Sequence, residues 1–156
     1  VVAPEVLAFC GCDHGSPCGT GGGSHGCPNT VGPGAVAGIQ GSLSVAADDL
    51  VLTMSGIRPG SFGVCYMGDG STNVALYDGF RCVHAESIGL FRLPIEWSDS
   101  QGVLTSGPGI IDYFEGSNGT ILAGSSWCFQ GLYRDAGGPC GTGINLTDAM
   151  WLTFRP

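Results

Sequence analysis

The chain has 156 residues, of which only 12% are charged; its formal net charge is -8 and its five basic residues are all arginines. An acidic chain of this kind repels a phosphate backbone, which excludes nucleic acid as a partner, and no apolar run approaches the ~18 residues of a membrane span. The 29 glycines and 9 prolines exclude a helical bundle and are typical of short strands joined by turns. The length fits a single domain, residues 1–156.

The chain begins with an apolar arm, residues 1–9, whose only charge is Glu5. The apolar positions are Val1, Val2, Val6, Leu7 and Phe9. Chain ends are normally polar, and Pro4 interrupts a hydrogen-bonding ladder. We therefore predict that the arm contacts a neighbouring subunit, by adding a strand or filling an apolar groove. An edge strand on its own domain is the alternative.

A Cys- and Gly-rich loop region follows, residues 10–34, and it has almost no apolar side chains with which to order itself. It contains Cys10, Cys12, Cys18 and Cys27. Because such a segment depends on cross-links, we predict that these four cysteines pair among themselves. A zinc site formed by the same cysteines with His14 and His25 is the alternative.

Residues 35–156 form a body in which apolar residues alternate with polar ones, as in half-buried strands. Runs with this pattern cover residues 39–45, 49–55, 61–67, 90–97, 127–134 and 149–154. They predict an all-β fold, a two-sheet antiparallel sandwich or jelly roll with seven to nine strands. A closed barrel is the alternative. Pro94 indicates an edge strand or a bulge within its run.

The phase of the alternation assigns two of the tryptophans in these runs, Trp97 and Trp151, to different environments. Trp97 is in phase with Leu93 and Ile95, which predicts a core position. Trp151 is out of phase with Leu152 and its apolar neighbours, which predicts an exposed residue available for a subunit contact.

The body also contains four cysteines, Cys65, Cys82, Cys128 and Cys140. Eight cysteines in a chain this short indicate disulfides and an oxidising compartment, and a chain that opens at Val1 without Met is expected after removal of a signal peptide. We therefore predict a secreted protein, extracellular or at the cell surface. Cys65 and Cys128 both lie in the middle of strands, so we predict a Cys65–Cys128 bridge, which leaves Cys82 to pair with Cys140.

Several segments together resemble a known family. They include FCGCDHGSPCGTGGGSHGCPNT, YDGFRCV and WCFQGLYRD, and above all residues 129–147, FQGLYRDAGGPCGTGINLT. The chain resembles a Cys/Gly-rich domain of predicted secreted proteins from planctomycetes and similar environmental bacteria, whose signature is FQGWYRDPGGPCGTGFNLT. Leu132 and Ala136 replace the usual Trp and Pro. The resemblance implies no activity. Relatives have apolar or amide residues where Cys65 and Cys128 stand, and their joint presence in this chain implies that they pair.

The sequence shows no catalytic motif such as G-x-S-x-G or H-E-x-x-H, so we expect no enzyme and no required cofactor. Asp69, Asn73 and Asp78 lie in acidic loops and are candidate calcium ligands, although Asp-Gly pairs also form hairpin turns.

The neutral surface and the apolar arm predict a structural subunit that associates with copies of itself in an extracellular filament, sheath or surface layer. The alternative is a glycan-binding or adhesive module in which aromatic side chains stack on sugars. The candidate aromatic residues are Trp97, Trp151, Tyr133 and Tyr66.

Overall fold

In a computed structural model, which describes residues 4–156, nearly all regular structure is β. The one helix, α1, is short, and no helix within residues 4–156 has the length and apolar character that a membrane crossing requires. The elements in chain order are β1 (Val6–Phe9), β2 (Val36–Gln40), β3 (Val51–Ser55), β4 (Phe62–Gly68), β5 (Gly70–Leu76), β6 (Gly79–His84), β7 (Leu90–Arg92), β8 (Glu96–Trp97), β9 (Val103–Ser106), α1 (Ile110–Phe114), β10 (Ser126–Arg134) and β11 (Ile144–Thr153).

The strands form two sheets and a separate hairpin, and neighbouring strands are antiparallel throughout. The larger sheet has the order β1-β11-β10-β4-β7, with β8 also paired to β4, and the smaller has the order β2-β3-β9. β5 and β6 form the hairpin. The predicted all-β, antiparallel class is therefore confirmed, and neither strand order closes on itself.

The inner face of the large sheet packs on the small sheet around one hydrophobic core. Leu52 and Leu104 enter this core from the small sheet, and Phe129 and Leu152 enter it from the large one. Where β10 passes Met54, the chain has Gly131, and a Cβ there would displace the Met54 methyl group. The period-2 pattern of these runs is therefore explained by burial of one face of each strand.

The outer face of the large sheet is covered in part by the β5–β6 hairpin, and Gln130 joins the two. Its Oε1 accepts hydrogen bonds from the Tyr66 hydroxyl (2.6 Å) and the Cys82 N–H (2.9 Å). Its Nε2 donates to the carbonyls of Phe80 (2.8 Å) and Thr147 (2.7 Å). Because Gln130 is 2% exposed, these four bonds satisfy a buried amide that would otherwise be costly.

The disulfide pattern corrects most of the predicted pairing. Cys12–Cys27 lies within the loop region, as predicted. Cys10–Cys82 and Cys18–Cys140 instead connect the loop region to the body, so the prediction of Cys82–Cys140 and of pairing confined to the loop region is wrong. All four loop-region cysteines are oxidised, which also excludes the zinc alternative.

Cys65 and Cys128 are free buried thiols, and the predicted bridge between them is wrong. They lie on adjacent strands, where Cys65 is opposite Gly131 and Cys128 is opposite Gly68. Cys65 belongs to the inner core, whereas Cys128 belongs to the cluster beneath the hairpin. Because the two side chains point to opposite faces of one sheet, no disulfide geometry can join them.

The arm is a strand of its own sheet. Val6–Phe9 pairs with β11 in a register that places Val6 opposite Leu152, and the Phe9 ring stacks on Trp151 with centroids 6.3 Å apart. Val6–Phe9 therefore has the alternative arrangement, an edge strand of its own domain, and the contact of Val6, Leu7, Phe9 and Trp151 with a neighbouring subunit stays a prediction. Val1 and Val2, also predicted to make that contact, lie outside the described residues.

Two predicted strands differ from those observed. In the run 90–97, β7 ends at Arg92 and β8 begins at Glu96, and Pro94 between them breaks the alternation. Leu93 is buried but Trp97 is 65% exposed, so the prediction of a core position for Trp97 is wrong. The strand predicted at 39–45 ends at Gln40, because Gly41 takes a positive φ of 78°.

Candidate functional site

The hairpin does not cover the whole outer face of β4 and β10. On the part of this face near β8 there is a cleft of about 180 Å³. Val64 and Leu132 form its floor, since they are opposite each other in the sheet. We call this the apolar cleft. It is lined by Phe62, Gly63, Val64, Ile95, Leu132, Arg134 and Ile144.

Exposed apolar side chains lie at the apolar cleft and next to it: Phe62 and Ile95 line the cleft, and Trp97 packs against Phe62. Ile95 is 64% exposed, Trp97 is 65% exposed and Phe62 is 41% exposed. The rings of Phe62 and Trp97 meet edge to face with centroids 5.3 Å apart. Single exposed apolar residues need no explanation, whereas a contiguous group of this kind is a candidate contact surface.

A larger cleft of about 460 Å³ lies beside the first and shares Val64 and Leu132 with it. We call it the arginine cleft. Arg92 is opposite Tyr66 in the sheet, and Arg81 comes from the hairpin. The full lining is Val64, Tyr66, Leu76, Tyr77, Arg81, Leu90, Arg92 and Leu132.

The arginine cleft is positively charged in an acidic protein, and no carboxylate is among its lining residues. The two ion pairs found within residues 4–156 are His25–Asp148 and Arg155–Glu5, so neither involves Arg81 or Arg92. The Arg81 Nε is buried without a hydrogen-bond partner. Burial raises the pKa of Tyr66 and the charge of Arg81 partly offsets this shift, so the Tyr66 hydroxyl stays neutral and donates to Gln130.

The aromatic residues suggested as a sugar-stacking platform do not come together. Tyr133 is fully buried, and its hydroxyl accepts a hydrogen bond from Asn29 of the loop region. Trp151 is half-buried against Phe9, and Tyr66 is almost buried beneath the hairpin. Trp97 alone of the four is freely exposed.

The candidate calcium ligands have separate structural roles. The Asp69 carboxylate accepts hydrogen bonds from the N–H groups of residues 86–89. Burial opposes its ionisation, but these N–H groups outweigh burial and lower the Asp69 pKa. Asp78 is buried and accepts hydrogen bonds from Cys140 and Thr142, whereas Asn73 is exposed on β5. Within residues 4–156, no group of three His, Cys, Asp or Glu side chains is placed to hold a metal ion.

The two arginines of the arginine cleft were not identified from the sequence. A signal was present, because three of the five basic residues, Arg81, Arg92 and Arg134, lie in strands rather than in loops. What the sequence could not show is that a hairpin folds over the large sheet and brings Arg81 beside Arg92.

Comparison of the chain with family models, with curated proteins and with solved structures finds no match. The resemblance to the planctomycete domain therefore stays a prediction, and the interpretation of function depends on the two clefts.

Proposed function

We propose that the protein is a non-catalytic structural subunit of an extracellular assembly and that it associates with copies of itself through the apolar cleft. The observation that carries this proposal is the exposed group Phe62, Ile95 and Trp97 around a floor of Val64 and Leu132. Water contacts these side chains in the isolated chain, and a partner that covered them would gain the free energy of apolar burial.

The composition and the cross-links support this proposal. Charged residues are sparse, so a facing copy would lose few solvated charges on contact. The three disulfides are compatible with an extracellular or otherwise oxidising location. We therefore assign self-association to the apolar cleft instead of the arm.

The test of this proposal is the substitution Ile95→Asp, with Trp97→Ala as a second variant. Each should raise the dissociation constant of the assembly about tenfold or more, because a buried charge or a lost aromatic contact removes a central interaction. Sedimentation velocity measures the distribution of assembled and free chains.

Leu122→Asp is the matched control, because Leu122 is 62% exposed and lies outside both clefts. It should assemble like the wild type. A wild-type protein that stays monomeric at high concentration, or cleft variants that assemble as well as the control, would contradict the proposal.

A second candidate function, glycan binding, is favoured by one observation, the exposed Phe62–Trp97 pair. Aromatic faces of this kind stack on the C–H faces of sugars. Retention of a monomeric wild type on immobilised polysaccharide, lost in Trp97→Ala, would favour this function over self-association.

A further inference from the structure

The arginine cleft presents two positive charges for which residues 4–156 provide no acidic partner. Arg92 is exposed, whereas Arg81 is half-buried with its Nε removed from solvent. Neither guanidinium group has an acidic partner among these residues. A ligand that brings a carboxylate into the cleft would supply that partner.

The occupant has to be acidic and also carry apolar surface. Besides the arginines, the cleft is lined by the side chains of Leu76, Tyr77 and Leu90. The chain itself has 13 acidic residues and a net charge of -8, so other copies are an acidic partner present wherever the protein is concentrated.

One exposed segment of the chain has the required chemistry, and we call residues 112–115 the acidic knob. It comprises Asp112, Tyr113, Phe114 and Glu115. Tyr113 is 52% exposed, and both carboxylate residues beside it are exposed. Neither carboxylate takes part in the ion pairs found within residues 4–156.

The acidic knob is held in place before any partner arrives. Ile110 and Phe114 anchor α1 in the inner core. The Asp48 carboxylate accepts hydrogen bonds from the N–H groups of Ile111 (2.8 Å) and Asp112 (3.0 Å). A segment fixed in this way loses little conformational freedom on binding, which favours association.

We propose that the arginine cleft binds the acidic knob of a second copy, with Tyr113 between the apolar walls and Asp112 or Glu115 on Arg81 and Arg92. This inference rests on the proposed function, and it names a contact that would set how one copy is oriented on the next. α1 packs into the inner core, whereas the cleft lies on the outer face of the large sheet. A contact between two different surfaces repeats from copy to copy and builds a ring or an open filament.

The test is a charge exchange across the contact, using the full chain with its disulfides intact. Arg92→Glu alone and Asp112→Arg alone should each raise the dissociation constant of the assembly about tenfold or more, since each places like charges together. The double variant should return it to within about threefold of the wild type, because opposite charges face each other again. Sedimentation velocity gives the constants.

Matched controls separate this contact from a general effect of charge. Arg58→Glu and Asp13→Arg make the same exchanges at exposed residues outside the cleft and the knob, and both should assemble like the wild type. Circular dichroism of every variant confirms folding, and a double variant that recovers assembly also shows that each substitution is tolerated.

Four outcomes would overturn the inference. Single variants that assemble normally, or a double variant that does not recover, would reject this contact while Ile95→Asp still tested self-association by itself. Binding of polygalacturonate to the monomer, lost in Arg92→Glu without any change in assembly, would assign the cleft to a carboxylate polymer instead. A monomeric wild type would reject the proposed function and this inference together.

Discussion

The body and the loop region are held together by different forces. In the body, large apolar side chains such as Phe129, Met54 and Leu52 are almost fully buried between the two sheets. In the loop region, the buried residues are mainly the half-cystines Cys12 and Cys27 and polar residues. Apolar burial is therefore sufficient to explain the body, whereas the loop region depends on covalent bonds and on hydrogen bonds to the body.

Removal of the disulfides should have the largest effect on stability. It should also show most clearly that the loop region and the body are stabilised differently. Cys10–Cys82 and Cys18–Cys140 span 72 and 122 residues, and each native bridge contributes about 2–5 kcal/mol. Replacement of all six paired cysteines by serine should release the loop region and lower the stability of the body. Hydrogen exchange should show unprotected amides in residues 10–34.

The same experiment on the free thiols is the control. A Cys65→Ala and Cys128→Ala double variant keeps all three bridges, so its loop region should stay protected. Retention of an ordered loop region without any disulfide would show that the hydrogen bonds suffice, and the contrast drawn above would then be wrong.

Phe129→Ala should have the next largest effect on stability, and it should destabilise the body. Phe129 is 1% exposed and packs against Phe154, so the cavity left behind should lower the free energy of unfolding by about 3–5 kcal/mol. Urea unfolding followed by tryptophan fluorescence measures the change. The exposed Phe62→Ala serves as its control, and a loss of similar size there would contradict the assignment of Phe129 to the core.

Gln130→Leu tests the polar connection between the large sheet and the hairpin. The substitution leaves the Tyr66 hydroxyl and the Cys82 N–H without their acceptor, at a cost of about 1–3 kcal/mol. We expect faster amide exchange in β5 and β6 than in β3. An equal increase of amide exchange in the hairpin and in β3 would show that the hairpin does not open independently.

The smallest effect concerns Asp69, whose pKa in the folded protein lies below its usual range. The unfolded chain takes up a proton at this residue near its ordinary pKa of about 3.9, whereas the folded chain does so only at lower pH. Its contribution to stability is therefore present above about pH 4 and is lost as the pH falls below it. In urea unfolding between about pH 5 and 2, Asp69→Asn should show a shallower loss of stability than the wild type. An Asp69→Asn variant with the wild-type slope would mean that the loop at residues 86–89 is held by other contacts.

The sequence predicted the part of the fold that depends on local alternation. β3, β4, β10 and β11 lie where period-2 runs predicted strands, because each run buries one face. The same rule failed at Trp97, since Pro94 resets the phase and nothing local indicates by how much. The strands of the hairpin were not predicted, because residues such as Asn73 and Val74 alternate weakly, but its turn includes Asp78, where the Asp-Gly pair indicated one.

Less of the candidate site than of the fold could be predicted from the sequence. Pairing within regions was the simplest interpretation of the cysteines, but Cys10–Cys82 joins residues that only the folded sheet brings together. The arginine cleft depends on the same long-range arrangement, since Arg81 of the hairpin and Arg92 of the large sheet line one cleft. Contacts that close between distant segments leave no periodic pattern in the chain.

The two buried thiols have a consequence for the order of events during biosynthesis. Burial raises the pKa of Cys65 to about 11 and that of Cys128 to about 12, so the folded chain holds almost no thiolate with which to attack its own disulfides. An unfolded chain has no such protection, and all eight cysteines can then react with one another. Sheet formation before oxidation removes two of the eight and leaves six cysteines, and thus 15 pairings instead of 105. Collapse of the large sheet before oxidation therefore favours the native pairing.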